Sequence, residues 1–422
     1  MANNAYDRLP DDYGVFKQFC SNNHYVSLAK TLSSAVSTRD TAATMKRITH
    51  ASNTYGHMGQ LLIRDGVCYA SFLQNSGSDG ESHSSTTSEV VLAVFPLARV
   101  QAEDFDPDRD VVIRRLGGLG DSFAGQHAFI LHGYAQAGVV GQHASSIFKD
   151  NSMCFVGDEL YILFSFVAED GKSHMFRVKY DIRTGTFSEE TMLQLSYKGV
   201  LYDFTDETLN LIYRDKGVLP NAKGLIELVS KWSEYNGEYY ATGVTIELEN
   251  NGFIVKTTDF KTMTLVDVPL FNTHGAAEIA SYIFRDKLYV ACRQNYGIPY
   301  LYLNAYDLQK GTWGREYKVP DGNVRPWFYS DGKDLYLMHT VEEYVRRYTN
   351  ISRVLYCNFL GACSPIETIA TLYDCGSYFA VCEYEGKPYF VCTKDTISFG
   401  ELKIRSYPPK EVNDKLMRLL EL

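Results

Sequence analysis

The sequence predicts an all-β protein built as a β-propeller of four-stranded blades. Three observations support this fold: a hairpin phrase recurs six times, a second turn phrase follows three of the hairpins, and the later repeats are evenly spaced along the chain. Together they indicate a ring of small sheets, whose closure protects most strand edges. We expect six blades, with seven as the alternative, a non-repeat N-terminal arm and a short C-terminal helix.

The hairpin phrase joins a polar turn to a β-rich stretch around a tyrosine. Glycine and acidic residues favour the tight turn, while β-branched and aromatic residues favour the strands on either side. Each copy is therefore predicted to link the first two strands of a blade. The six copies are RDGVCYASF (64–72), VGDELYILF (156–164), YNGEYYATG (235–243), FRDKLYVAC (284–292), SDGKDLYLM (330–338) and YEGKPYFVC (384–392).

The second phrase carries an aspartate that lies 18 to 20 residues after the repeat tyrosine. An aspartate that accepts hydrogen bonds from its own downstream backbone, followed by a turn former and then an aromatic or Leu, is typical of a tight turn. This turn is predicted to join the third strand of a blade to the fourth. The copies are YDIRTGTF (180–187), TTDFKTMTL (257–265) and YDLQKGTW (306–313).

The spacing of the repeats sets the expected number of blades. Tyr239, Tyr289, Tyr336 and Tyr389 lie 50, 47 and 53 residues apart, which suits a four-stranded blade. The intervals before Tyr239 are 92 and 78 residues long, so each holds a long insertion or a degenerate blade. Residues 199–216 have a hairpin pattern of their own and 128–140 could hold another, which keeps seven blades open.

The two ends of the chain lie outside the repeats. Residues 1–50 carry no repeat and are predicted to form an arm or docking segment, and 51–410 form the propeller. Residues 411–422 (EVNDKLMRLLEL) have apolar residues at helical spacing and predict an amphipathic helix.

Composition limits the partners and the compartment. The net charge is −10 and no basic run occurs, which argues against nucleic acid or an anionic membrane as the main partner. The N-terminus lacks the pattern of a signal peptide, so we expect a chain that is cytoplasmic when made.

The nine cysteines form an odd set, and five of them, Cys68, Cys154, Cys292, Cys382 and Cys392, fall in predicted strands. We expect them to be reduced, buried side chains. No cofactor is predicted. A three-histidine metal site is not predicted, because the histidines lie at unequal offsets from the repeat tyrosines.

A binding site is predicted on one face of the ring. In a propeller blade the start of the first strand and the end of the second share a face, where side chains can vary without harming the ring. Several histidines, arginines and carboxylates fall at these positions, although any one of the histidines could equally be a buried structural side chain. The predicted ligand-binding residues are His57, Arg293, Gln294, Arg325, His339 and Glu342, and the predicted catalytic residues are His143, His274, Tyr296 and Glu278.

Two of the hairpins resemble those of the sialidase-like β-propeller superfamily, which includes neuraminidase-repeat and polysaccharide-lyase relatives. They are EIASYIFRDKLYVACRQ (278–294) and NVRPWFYSDGKDLYLMHT (323–340), each with an arginine expected to point into the funnel, and the resemblance covers about residues 55–408. It implies binding or cleavage of acidic glycans, with arginines for the substrate carboxylate. Sialidases carry an arginine in a first-blade motif where this chain has His57, and the Asp-box spacing is absent. Glycan binding or another glycan chemistry is therefore expected over sialidase activity itself.

The residues leave three functions open. The first is a glycan-binding component of a larger assembly such as a bacteriophage tail, released as part of a virion and joined to other subunits through residues 1–50. The second is an enzyme: a lyase with Arg293 or Arg325 on the carboxylate and His143, His274 or Tyr296 moving protons, or a hydrolase with Glu278 and Glu342 as its carboxylates. The third is a propeller that only holds other proteins.

Overall fold

The computed structural model describes a β-propeller whose strands form six hydrogen-bonded sheets. The described residues are 45–53, 55–75, 89–117, 151–167, 172–188, 190–219, 225–246, 251–269, 276–294, 300–320, 324–340, 348–354, 366–373, 376–394 and 396–402. No helix among these residues is long and apolar enough to cross a membrane. The predicted C-terminal helix and most of the predicted N-terminal arm lie outside them.

The chain enters the ring as β1 (Lys46–Arg47), which joins the last sheet, and then forms sheets 1 and 2. Sheet 1 consists of β2 (Tyr55–Arg64), β3 (Val67–Asn75), β4 (Glu89–Pro96) and β5 (Val112–Gly117), with helices α1 (Leu97–Gln101) and α2 (Pro107–Asp110) before β5. Sheet 2 consists of β6 (Ser152–Val156), β7 (Glu159–Val167), β8 (Ser173–Asp181), β9 (Thr186–Phe187) and β10 (Thr191–Met192).

Sheet 3 is larger than the others and departs from the four-strand pattern. Its strands are β11 (Gln194–Tyr197), β12 (Val200–Asp203), β13 (Leu225–Glu227), β14 (Ser233–Tyr235), β15 (Glu238–Ile246), β16 (Asn251–Thr257) and β17 (Thr262–Asp267), with helix α3 (Asp206–Asp215) after β12. The inner edge is split, because β13 and β14 both pair with β15, and the outer edge is extended by β11, which runs parallel to β17.

Sheets 4, 5 and 6 complete the ring. Sheet 4 has β18 (Ala276–Phe284), β19 (Lys287–Gln294), β20 (Tyr300–Asp307), β21 (Thr312–Trp313) and β22 (Tyr317–Pro320). Sheet 5 has β23 (Trp327–Ser330), β24 (Leu335–Thr340), β25 (Tyr348–Val354) and β26 (Ile366–Tyr373). Sheet 6 has β27 (Ser377–Tyr384), β28 (Lys387–Lys394), β29 (Thr396–Glu401) and, from the N-terminus, β1.

The ring closes because the inner strands pack against one another in order. Contacts run from β2 to β6, from β7 to β13, from β15 to β18, and through β23 and β27 back to β2. Pairing of β1 with β29 ties the N-terminal segment into sheet 6, so the first and last parts of the described chain share one sheet. The core lies between the sheets: each hydrophobic cluster draws its side chains from the facing surfaces of adjacent sheets.

The all-β propeller prediction is confirmed, and so are the six hairpins. Each phrase forms the turn between the inner strand and the second strand of a sheet, with left-handed backbone at residues such as Asn236, Gly237 and Gly386. The prediction of six four-stranded blades is wrong in its blade count. Five sheets have the four- or five-stranded form of a regular blade, whereas sheet 3 has seven strands.

The insertion in sheet 3 also corrects the interpretation of residues 199–216 as a separate hairpin. Val200–Asp203 (β12) pairs antiparallel with the preceding strand, β11. Asp206–Asp215 forms helix α3. The helix begins at Thr205, whose side chain accepts a hydrogen bond from the Thr208 amide, and this N-cap overrides the strand-like pattern.

The aspartate turns are confirmed, because the side chains of Asp181, Asp259 and Asp307 each accept two downstream backbone N–H groups. Two strand tyrosines next to the hairpin turns have a structural role: the repeat tyrosine Tyr161, and Tyr240, which follows the repeat tyrosine Tyr239. The Tyr161 hydroxyl donates to Glu159 and the Tyr240 hydroxyl to Glu238, and in each case a lysine directly across the strand pair contacts the same carboxylate. The five strand cysteines are buried, as predicted, and burial raises the pKa of the Cys154 thiol to about 12.

All inner strands run the same way, so their first residues and the last residues of the second strands lie at one face. We call it the funnel face; it is marked by the starts of β2, β18, β23 and β27. The hairpin turns lie at the opposite face, the turn face. Polar side chains join the inner strands: Gln60 donates to the Val229 carbonyl at 2.7 Å, and Ser281 to Ser230 at 3.3 Å.

Candidate functional site

The first part of the site is an ion pair at the funnel face of sheet 4. Arg293 lies near the end of β19 and donates from Nη1 to Glu278 Oε2, near the start of β18. Only 14% of the Arg293 side chain and 9% of the Glu278 side chain are exposed. Such a pair is partly desolvated, so its attraction is much stronger than that of a pair on the open surface.

The second part is an aromatic contact between sheets 6 and 1. Tyr378 is the second residue of β27, and its ring lies 4.4 Å from the His57 ring of β2, centroid to centroid. Tyr55 also stacks on His57, at 5.8 Å between ring centroids. Tyr378 and His57 are both buried, whereas Tyr55 is half-buried. These rings therefore form a floor beneath the funnel face.

The third part is Arg325, just before β23 in sheet 5. Its Nη2 donates to the Gly59 carbonyl of β2 at 3.0 Å, and its guanidinium carbon lies 5.3 Å from the Trp327 ring and 6.0 Å from the Tyr378 ring. The residue is 2% exposed. Arg325 therefore joins sheet 5 to sheet 1 and takes part in the floor rather than in the accessible layer above it.

Two of these residues have an unusual backbone. Glu278 has φ +48° and Tyr378 has φ +54°, and both sit where a β-bulge interrupts the inner strand. The other described non-glycine residues with positive φ lie in the turns between strands: Asp65, Lys198, Asn236, Phe260, Arg285, Asp286 and Glu385. A left-handed residue within a strand costs about 1–3 kcal/mol and is most often kept where it serves function.

A third bulge lies in the inner strand of sheet 1, between His57 and Gln60. The inner strands of sheets 4, 6 and 1 are thus all displaced at the same end. A bulge turns a side chain away from the regular alternation of a strand and can aim it at the centre of the ring. The consecutive sheets 4, 5, 6 and 1 therefore supply Glu278 with Arg293, Arg325, Tyr378 and His57 to one face.

The remaining predicted residues divide into two groups. His339 is buried in β24, and its ring nitrogens contact Ser352 Oγ at 2.8 Å and the Thr340 carbonyl at 3.3 Å, both within sheet 5. Gln294 ends β19. His143, His274, Tyr296 and Glu342 lie outside the described residues, so their predicted roles stay predictions.

The sequence reasoning missed Tyr378. Its position at the start of the inner strand of the sixth hairpin was available from the repeat, because YEGKPYFVC fixes where that strand ends. The bulge that turns Tyr378 towards His57 and Arg325 was not, since it depends on the register between β27 and β28.

The site combines a guanidinium, a carboxylate and a phenol at one face. Arginine provides five N–H donors in a planar fork and suits carboxylates, while aromatic rings suit the apolar faces of sugars. The described residues contain no group of three His, Cys, Asp or Glu side chains that could hold a metal ion. The chemistry available here is thus recognition of a polar, acidic ligand, with a carboxylate and a phenol for proton transfer or nucleophilic attack.

Solved structures with a similar fold are sialidases. The "Hadza microbial sialidase Hz136" superimposes with a TM-score of 0.58 at 10% identity, over 85% of this chain and 68% of that one. Trypanosoma rangeli sialidase, in complex with the inhibitor DANA, gives 0.56 at 12% identity over 89% of this chain, and this chain spans 62% of its length. The intramolecular trans-sialidase from Ruminococcus gnavus, in complex with oseltamivir carboxylate, gives 0.52 at 12% identity, over 87% and 99% of the two chains.

No family model matches the sequence, and no curated protein matches it. At these low identities the structural similarities establish the fold alone. The resemblance seen in the hairpins of sheets 4 and 5 is confirmed: the chain has a sialidase-like β-propeller fold.

Proposed function

We propose that the funnel face binds an acidic glycan. The observation that carries this proposal is the Arg293–Glu278 pair at the funnel face, to which the neighbouring sheets also supply Arg325, Tyr378 and His57. The planar fork of a guanidinium suits the two oxygens of a sugar carboxylate. The half-buried Tyr55 ring beside His57 suits the apolar face of a sugar ring.

The fold supports the same choice of ligand. Two of the similar structures contain acidic ligands: one T. rangeli complex contains sialic acid, and the R. gnavus complex contains oseltamivir carboxylate. We extend this acidic ligand class to the funnel face. It agrees with arginine as the recognition group and with the overall charge of −10, which gives no broad basic surface for longer polyanions.

The binding test uses Arg293 with a matched control. Arg293→Ala should weaken retention on a panel of acidic polysaccharides and sialosides by at least about tenfold, since one charge-assisted pair contributes about 1.5–3 kcal/mol. Arg353→Ala is the control, because Arg353 forms a comparable pair with Asp334 (3.7 Å) but at the turn face. Equal loss of binding in both variants, or unchanged binding in Arg293→Ala, contradicts the proposal and favours a propeller that only holds other proteins.

A second candidate function is glycoside cleavage. It is favoured by the left-handed backbone of Glu278 and Tyr378, because strained residues within strands concentrate at active sites. Sialidases use a tyrosine nucleophile in place of a second carboxylate, and Tyr378 is a phenol at this face with left-handed backbone. Turnover of a fluorogenic sialoside that is lost in Tyr378→Phe and Glu278→Gln would support an enzyme. If wild-type protein binds the sialoside and releases no product, the funnel face recognises the glycan without cleaving it.

We also propose that this glycan recognition belongs to a larger assembly, such as a bacteriophage tail that carries the propeller as its receptor-binding part. It rests on the absence of repeats from residues 1–50, which suits a segment that docks on other subunits. Deletion of residues 1–44 should then abolish incorporation into particles while glycan retention stays unchanged. Full incorporation of the shortened chain would contradict a docking role for the arm.

A further inference from the structure

An apolar strand edge lies at the outside of sheet 3. Strand β12 is the last strand of this sheet and pairs on one side with β11. Within the described part of the chain, no strand pairs with its other side. Val200 and Leu201 are 49% and 55% exposed there, the highest values for large apolar residues in any described strand. Edges of this kind are usually charged, bulged or covered, because they otherwise accept another strand.

The direction of the backbone groups follows from the pairing of the hairpin. The turn Lys198-Gly199 has left-handed backbone at both residues, and Tyr197 pairs with Val200 across it. The Gln194 amide donates to the Lys261 carbonyl on the other side of β11. Because backbone groups alternate along a strand, those of Val200 and Tyr202 point towards β11 and those of Leu201 point outwards.

We propose that β12 is a self-complementary edge through which two copies of this chain pair antiparallel. The outward backbone groups fix the register: Leu201 of one copy pairs with Leu201 of the second, and its N–H and C=O groups are exchanged across a two-fold axis. Val200 then lies opposite Tyr202 of the second copy on the other side of the pleat. The exposed apolar side chains are covered in the pair.

Charge complementarity selects a second copy as the occupant. Lys198 lies at one end of the edge and Asp203 at the other, and both are exposed. With Leu201 opposite Leu201, Asp203 of each copy lies opposite Gly199 of the other, and the adjacent Lys198 side chain reaches that carboxylate. Two opposite-charge contacts therefore form about the same dyad. Lys198 also bonds to Asp215 of its own chain at 2.7 Å, but 66% of its side chain remains exposed and within reach of a second carboxylate.

The position of the edge permits this pairing. β12 belongs to the insertion that extends sheet 3 beyond β17, at the outer side of the ring, whereas the funnel face is formed by inner strands. Pairing therefore leaves the funnel face of both copies open. The contact is short, with four residues on each side, so we expect a weak dimer that depends on concentration.

The first test measures mass against concentration for the full chain by analytical ultracentrifugation. Wild-type protein should shift from monomer to dimer. Leu201→Pro removes the outward N–H but no hydrogen bond to β11, and proline is tolerated at such an edge position, so the fold should stay intact. It should raise the dimer dissociation constant at least about tenfold, which corresponds to about 1.4 kcal/mol. Leu211→Pro would break helix α3, so it cannot serve as the control. Leu211→Lys is the control instead, because Leu211 is exposed on the helix and this replacement should leave the dimer unchanged.

A charge exchange gives the second test. Lys198→Glu and Asp203→Lys should each weaken the dimer, because like charges then meet at both contacts. An equimolar mixture of the two variants should form a heterodimer, since opposite charges meet again. The proposal is overturned if wild-type protein stays monomeric at its highest soluble concentration. It is also overturned if Leu201→Pro leaves the dimer unchanged, or if the mixture of the two charge variants forms no heterodimer. These readouts involve no glycan, so they are independent of the proposed binding function.

Discussion

Arg293 and Glu278 form their ion pair across the bulge at which β18 departs from regular pairing with β19. Ala277 pairs with Arg293 and Ile279 with Cys292, so Glu278 is the extra residue, with φ +48°. Its carboxylate is directed to the guanidinium although its backbone is in a conformation that side chains rarely adopt. The pair and the bulge therefore depend on each other, since without its partner charge neither buried group would be well accommodated.

A double-mutant cycle on this pair should reveal that dependence. We expect Glu278→Gln to lower the free energy of unfolding by about 1–3 kcal/mol, because it leaves the Arg293 guanidinium without a counter-charge in a mostly buried position. Arg293→Met should cost a similar amount, and the double variant should cost less than the sum. Urea unfolding measures the coupling.

The Arg353–Asp334 pair provides the control cycle. Its side chains are 30% and 29% exposed and its atoms are 3.7 Å apart, so its coupling should stay below about 1 kcal/mol. Equal coupling in the two cycles would mean that the Arg293–Glu278 pair is an ordinary surface pair.

Arg325 should be needed for stability, unlike a simple ligand-binding side chain. Its donation to the Gly59 carbonyl joins sheet 5 to sheet 1 beneath sheet 6, and its guanidinium lies against Trp327 and Tyr378. We expect Arg325→Met, which keeps most of the packing, to lower the free energy of unfolding by about 1–3 kcal/mol through loss of a donor to a buried carbonyl. Arg325→Ala should cost more, because it also removes the packing.

Chemical denaturation of these two Arg325 variants and of Arg293→Ala compares the two arginines. An Arg325→Met variant as stable as the wild type would show that the Gly59 contact contributes little to ring closure. Loss of glycan binding in a variant of either arginine therefore counts only where its denaturation curve shows that the protein is folded under the binding conditions.

Local chemistry explains which elements could be predicted from the sequence. The hairpin turns and the aspartate turns depend on residues within a few positions of one another, such as Asn236-Gly237 or Asp307 with the amides that follow it. The inner-strand bulges do not, because an extra residue at 278 or 378 becomes visible only when the partner strand sets the register. The contact of Arg325 with Gly59 joins residues far apart in the chain and requires the closed ring.

The seven-stranded sheet could not be predicted for a similar reason. The segment 191–203 continues from sheet 2, yet β11 pairs in parallel with β17, whose residues follow much later in the chain. The start of helix α3 does have a local signal, because Thr205 followed by Asp206 and Glu207 is typical of an N-cap.

Variants of the aspartate turn of sheet 4 should show whether hydrogen bonds or charge stabilise that turn. The Lys310 amide, which donates to the Asp307 carboxylate, lowers the pKa of Asp307 below its ordinary value. Asp307→Ala removes the acceptor for two amides and should lower the free energy of unfolding. Asp307→Asn keeps an acceptor oxygen and should cost less. Thermal unfolding of both variants tests this, and equal losses would show that the charge and not the acceptor stabilises the turn.

The glutamates that accept the hydroxyls of Tyr161 and Tyr240 should make stability depend on pH in the acid range. Lys179, through its hydrogen bonds to the carboxylate, lowers the pKa of Glu159 from its ordinary value of 4.5, and Lys256 lowers the pKa of Glu238 in the same way. These carboxylates hold protons more weakly in the folded state than in the unfolded state. They therefore stabilise the fold above pH 4.5, and this stabilisation is lost as the pH falls through their folded pKa.

Lysine variants at these positions should flatten that dependence. Lys179→Met and Lys256→Met remove the ammonium but keep an apolar stem over the Tyr161 and Tyr240 rings. At neutral pH each should cost less than about 1 kcal/mol, because the pairs are partly exposed. The difference from wild type should shrink as the pH is lowered below the folded pKa values, where the carboxylates are protonated in both proteins. Lys261→Met, an exposed lysine in a turn, is the control. Urea unfolding from neutral to acid pH measures the difference, and a loss that stays constant across this range would mean that lysine packing, and not its charge, supports the tyrosine.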